Sequence, residues 1–200
     1  MSHLPFVVFN GRKYDLSSQW PAVGDPVPDF QLMLFNKGDS AGIMITKDDL
    51  IHHRRPLLLS VTTSLDTPIG SLQTKKFDQM LQPYAKDALL WSVSSDLPFN
   101  INRFFEEENI TSLAGGSDFL YKSFGKNFGV MVEEYQLLVR AVFVVDRNGL
   151  IRYSEVPAVV KTEINYEMAM RVLHEVIHED HLSDADLQPS DEEENAQVDD

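Results

Sequence analysis

No cysteine occurs among the 200 residues. That absence excludes disulfides, thiolate catalysis and cysteine-type zinc sites together. Basic residues are also scarce: 17 Lys and Arg stand against 31 Asp and Glu, a formal net charge of −14. Eight of the acidic residues (Asp184, Asp186, Asp191, Glu192, Glu193, Glu194, Asp199 and Asp200) fall in 181–200, which has no Lys or Arg, leaving about −6 for the rest. A surface of that sign, without a basic stripe, argues against a nucleic-acid partner. No apolar run approaches the roughly 20 residues of a membrane span. The segment MSHLPFVVFNGRKY lacks a basic stretch followed by an apolar core. Neither a membrane anchor nor a secretory leader is therefore expected, and the expected location is cytoplasmic.

What is present describes a globular α/β chain. Phe6–Phe9 and Arg12–Leu16 flank Asn10-Gly11, a pair suited to the positive φ angles of a tight hairpin. Strands are predicted at 30–35, 42–46, 57–63 and 88–93. Thr46 should cap a short helix, Lys47–His52, with Asp48 and Asp49 in its first turn. A helix over 69–84 follows, with Leu72, Lys76, Phe77, Met80 and Leu81 at helical spacing, and a second over 97–108 starts near Ser95-Asp96. Ser117 and Asp118 could cap a helix through Phe124, ended by Gly125. Val139–Val145 and Leu150–Val156 enclose Asp146-Arg147-Asn148-Gly149, a second hairpin signal, and Asn165–Glu179 reads as an amphipathic helix. Hairpin, β-α-β-α, hairpin and helix in that order suit a mixed sheet flanked by helices, the thioredoxin-like arrangement. One domain, 1–180, is expected, followed by an acidic tail, 181–200, too poor in apolar residues to offset the entropy of ordering.

Several phrases align in order with one family. SLDTPIGSLQTKKF, SSDLPFNINRFF, FGVMVEEYQLLVRAVFVVDRNGLIRYSE and NYEMAM resemble the thiol peroxidase branch of the peroxiredoxins over about residues 4 to 178. The resemblance implies a thioredoxin-like fold with an N-terminal hairpin. It also implies a peroxidatic cysteine in the first turn of a helix, its thiol acidified by the helix N-terminus and an arginine. A threonine three residues earlier, a proline upstream and a resolving cysteine on the next helix complete the pattern. Here the threonine is Thr67 and the arginine Arg140, but the peroxidatic position is Gly70, the proline position Thr63 and the resolving position Phe105. An engineered knockout would carry Ser or Ala, so Gly and Phe point to a natural cysteine-less homologue. Ser71 lies about 100° around the helix from Gly70 and has no base beside it, so serine catalysis is not expected.

A helix N-terminus, a threonine hydroxyl and a guanidinium could form a site for a small anion. The alternative is that Thr67 only caps the helix while Arg140 pairs with a carboxylate. No cofactor is called for. His174-Glu175-Val176-Ile177-His178 matches H-E-x-x-H, and His181 extends the same face, a weak metal-binding candidate. The apolar inner face of that helix argues against protease chemistry. His52-His53-Arg54-Arg55 reads as a solvated loop, and Phe104 and Phe105 as core residues. Two functions compete. One is a non-catalytic binding or regulatory protein, working through the relic pocket or a dimer face; its partner would be a protein, a small anion or a second copy. The other is a redox enzyme of residual or altered peroxidase type.

Overall fold

The computed structural model describes residues 5–35 and 42–185. Alternation in the buried strands sets its architecture. In β5 (Leu57–Val61), Leu57, Leu59 and Val61 face one side of a sheet and Leu58 the other. In β10 (Ala141–Val145), Ala141, Phe143 and Val145 point one way, and Val142 and Val144 the other. Successive side chains alternate across a pleated strand, so a continuous apolar run demands cover on both faces.

The seven-stranded mixed sheet has the order β11-β10-β5-β6-β7-β3-β4. It is built from β3 (Gln31–Phe35), β4 (Ile43–Thr46), β5, β6 (Leu89–Ser94), β7 (Ala114–Ser117), β10 and β11 (Ile151–Glu155). β5, β6 and β7 run parallel, and the remaining neighbours pair antiparallel. One face is covered by α2 (Pro68–Leu81), α3 (Pro98–Glu107) and α5 (Tyr166–Ala185), the other by α1 (Lys47–His53) and α4 (Ser123–Asn127). Separate hairpins, β1 (Phe6–Phe9) with β2 (Arg12–Asp15) and β8 (Met131–Val132) with β9 (Leu137–Leu138), stand outside the sheet. The thioredoxin-like fold expected from the sequence is the fold observed. Thr46 caps α1 through a full capping box with Asp49. Asn10 (φ 49°) and Gly11 (φ 79°) make the first turn. No helix among the described residues is long and apolar enough to cross a membrane.

Three expectations need correction. Ser117 ends a strand rather than capping a helix, and α4 passes through Gly125. Asp118 reaches forward to that helix instead, accepting hydrogen bonds from the N–H groups of Phe124 (3.1 Å) and Gly125 (2.8 Å). On α2, Leu72 faces solvent, while Gln73, Thr74 and Asp78 are buried with Phe77 and Leu81. Those polar groups find partners inside: Gln73 Nε2 donates to Ser60 Oγ and Val61 O, Thr74 Oγ1 bonds Ser92 Oγ, and Asp78 accepts from the backbone of Thr111 and Ser112. Hydrophobic spacing alone therefore misplaces the inner face of α2. Finally, α5 continues to Ala185, past the expected end at Glu179. The acidic tail beyond it, 186–200, lies outside the described residues.

Phe128 anchors the second face. It is fully buried, stacks on Phe124 at 4.2 Å and meets Phe143 edge-on at 5.2 Å. Phe128→Ala should lower unfolding stability by about 3–5 kcal/mol in urea titrations.

Candidate functional site around Gly70

The loop from β5 into α2 closes on itself. Thr67 is the N-cap of α2: its hydroxyl donates to Ser64 O at 2.7 Å and accepts from Gly70 N–H at 3.0 Å. Thr67 N–H also donates to Ser64 O, at 3.3 Å. The Ser64 carbonyl is thereby drawn over the first turn of the helix. A Cβ on Gly70 would run into that carbonyl oxygen, and would lie 2.6 Å from Thr62 Oγ1 and 2.9 Å from Thr67 Oγ1. Real Cβ atoms do not approach backbone oxygens so closely, so glycine is required here by space. Thr63, beside Thr62, is half-buried, and its carbonyl accepts from Ser95 N–H at 3.3 Å.

Arg140 stands just before β10 and is 3% exposed. Its Nη1 donates to Thr162 O at 2.6 Å and its Nη2 to Ile69 O at 3.4 Å, while Nε–H has no partner. Burial pushes its pKa down, opposed by the electrostatic influence of Tyr166 and Glu163. The expected alternative, an Arg140–carboxylate pair, does not form among the described residues; Glu163 pairs with Lys76 at 2.6 Å. Thr67 and Arg140 thus both attend the first turn of α2, but the threonine hydroxyl is committed to the cap and the guanidinium to backbone carbonyls.

Phe105 is buried in the core on α3, close to Gly115 of β7, where a Cβ would lie 3.2 Å from its ring. Phe104 is buried with it. On α5, the rings of His174 and His178 lie 3.9 Å apart. Tyr84 Oη is 3.4 Å from His174 Nδ1, and His178 Nδ1 is 2.7 Å from His174 O. The side chain of His181 lies outside the described residues. No group of three metal-ligating side chains occurs among the described residues.

Sequence reasoning missed the polar frame around the junction. Asp96 does not start α3, whose N-cap, Leu97, makes no side-chain cap. Its carboxylate instead accepts from Leu65 N–H (2.7 Å) and Ser94 Oγ (2.9 Å), pinning the β5–α2 loop to the end of β6. Ser117 Oγ donates to Asp96 O at 2.6 Å, Asp118 N–H to Ser94 O at 3.0 Å, and Leu138 N–H to Ser95 Oγ at 2.9 Å. The serine pair Ser94-Ser95 at the end of β6, and Ser64 in the loop after β5, were the signal available. Three loops are locked together by these bonds. The adjoining segments carry exposed apolar side chains: Phe99 (79% exposed), Leu120 (63%), Leu97, Phe119, Tyr121 and Leu137.

A family model described as the AhpC/TSA family matches residues 23–154. The thiol peroxidase of Streptococcus pneumoniae is 33% identical over 165 residues, spanning 82% of this chain and 96% of its own. This chain belongs to the AhpC/TSA family. The thiol peroxidase of Staphylococcus epidermidis is 29% identical over 170 residues, covering 85% of this chain and 98% of its own. Among solved structures, a peroxiredoxin-like protein from Aquifex aeolicus has a TM-score of 0.74 at 27% identity, covering 88% of this chain and 99% of that one. Within the AhpC/TSA family this chain is a cysteine-lacking homologue of thiol peroxidases.

Two measurements probe the site. Gly70→Ala should cost about 1–3 kcal/mol of stability by overpacking, since the opposing atom is backbone; chemical denaturation reads it. Burial pushes the Asp118 carboxyl up to about 6, against the pull of the Gly125 and Phe124 N–H groups. A carboxyl raised in the fold favours the folded state while protonated. Its contribution is therefore lost as pH rises from about 4 through about 6, by up to about 3 kcal/mol. Unfolding midpoints of the parent should fall across that window relative to Asp118→Asn.

Proposed function

We propose that this protein is a non-catalytic binding member of the AhpC/TSA family. The observation carrying this reading is the closure of the Ser64 carbonyl over Gly70. The position that would hold a nucleophile has neither a sulfur nor the room for one, in a chain with no cysteine elsewhere to substitute. Peroxide reduction by the thiol route needs a sulfur that is oxidised and then reduced again. Purified protein should consume hydroperoxide with dithiothreitol or thioredoxin no faster than buffer. Catalytic turnover would overturn the reading and favour an enzyme with altered redox chemistry.

The binding face, in this reading, is the apolar rim of Leu97, Phe99, Phe119, Leu120, Tyr121 and Leu137. Exposed apolar side chains on segments held by one hydrogen-bonded frame favour protein contact, and Asp96 and the serines described above supply that frame. A second copy is the partner proposed. Sedimentation velocity should give a dimer, and Phe99→Glu with Leu120→Glu should give a folded monomer. A monomeric parent would rule out self-association through this rim.

A further inference from the structure

His174 and His178 stand at i and i+4 on α5, the spacing that puts two side chains on one face of a helix. Their rings lie 3.9 Å apart at a tilt of 39°, and both residues are exposed. Each ring presents Nδ1 to a protein oxygen. His178 Nδ1 is 2.7 Å from His174 O, and His174 Nδ1 is 3.4 Å from Tyr84 Oη, at the end of the short turn after α2. A carbonyl only accepts, so Nδ1 of His178 carries the proton, and the lone pair of the neutral ring lies on Nε2. A tyrosine hydroxyl accepts as well as donates, so Tyr84 allows His174 the same tautomer. A protein oxygen on one imidazole nitrogen is what orients a histidine that ligates metal through the other.

The nearby carboxylates are engaged. Glu175, which the H-E-x-x-H pattern would use as a base, is 3.7 Å from Arg171, and Glu179 accepts from Arg152 at 2.8 Å. No third His, Asp or Glu joins the two histidines in a metal-ligating group among the described residues. Zinc hydrolases hold their metal with three protein ligands. The pair therefore suits binding rather than peptide hydrolysis. A formal charge of −14 draws cations to the surface that carries it.

We propose that His174 and His178 chelate one divalent transition-metal ion through their Nε2 atoms, with Tyr84 as a positioning residue. Tetrahedral zinc, about 2.0–2.1 Å from each nitrogen, holds two such nitrogens about 3.4 Å apart. Rings with centroids 3.9 Å apart reach that span by small side-chain rotations. Water fills the remaining positions of the shell. Two imidazoles select zinc, nickel or copper over magnesium and calcium, which take oxygen ligands. The ion would clasp successive turns of α5. Self-association through the apolar rim is a separate matter, since neither histidine nor Tyr84 belongs to that rim.

The test is calorimetric titration of zinc chloride into the untagged full-length chain, repeated with magnesium chloride in large excess. One saturable zinc per chain is expected, with an affinity that magnesium does not change. His174→Ala and His178→Ala should each raise the dissociation constant at least about tenfold, because losing a ligand costs no less than losing the group that orients it. Tyr84→Phe, which keeps the ring beside His174, should raise it by a smaller factor and keep the stoichiometry. Both histidines are exposed, so their truncation leaves the core intact, and circular dichroism checks the fold of each variant. Absence of saturable zinc binding, displacement of zinc by magnesium, or an unchanged constant in any of the three variants would overturn the proposal. An unchanged constant would leave the two histidines as a ring-packing contact only. Sedimentation reads the dimer independently, and its outcome does not alter these results.

Discussion

The turn from β5 into α2 depends on the Ser64 carbonyl being held over the helix start. Thr67 fixes it through its hydroxyl and its backbone N–H, and Asp96 holds the next residue, Leu65, from the side. Glycine at position 70 is what permits that close approach. Asp96 also receives Ser94 Oγ, and its own carbonyl receives Ser117 Oγ, so the ends of β5, β6 and β7 form one hydrogen-bonded frame. In an α/β sheet the carboxyl ends of parallel strands are where ligands gather. Here that region is occupied by the protein's own backbone.

The polar groups placed beneath α2 follow a similar logic. Gln73, Thr74 and Asp78 are buried but tie the helix to Ser60, Ser92 and the 111–112 backbone. Such bonds add modest net stability and cost heavily when broken, so they fix register more than they strengthen the fold. Arg140 is the exception on that side of the sheet, because carbonyls alone cannot neutralise it.

Much of the architecture was legible in the residues. The Asn10-Gly11 turn, the Thr46 cap and the apolar runs of β5, β6 and β10 each state their conformation through short-range chemistry. The misreadings share a cause. Asp96, Asp118 and the inner face of α2 take their roles from residues distant in sequence, and capping propensity or hydrophobic spacing cannot report such partners. Gly70 itself could be read directly, but the closure over it could not, since the Ser64 carbonyl is an atom that every residue possesses.

The tight seat of Gly70 also limits what this position can become. A codon change that placed cysteine at this position would meet a carbonyl already anchored by Thr67. Any larger side chain there would therefore require the 62–67 loop to move in the same step, along with the Asp96 contact that pins it. The closed turn thus acts as a ratchet, leaving the scaffold open to change on its other faces but resisting any new side chain at this one.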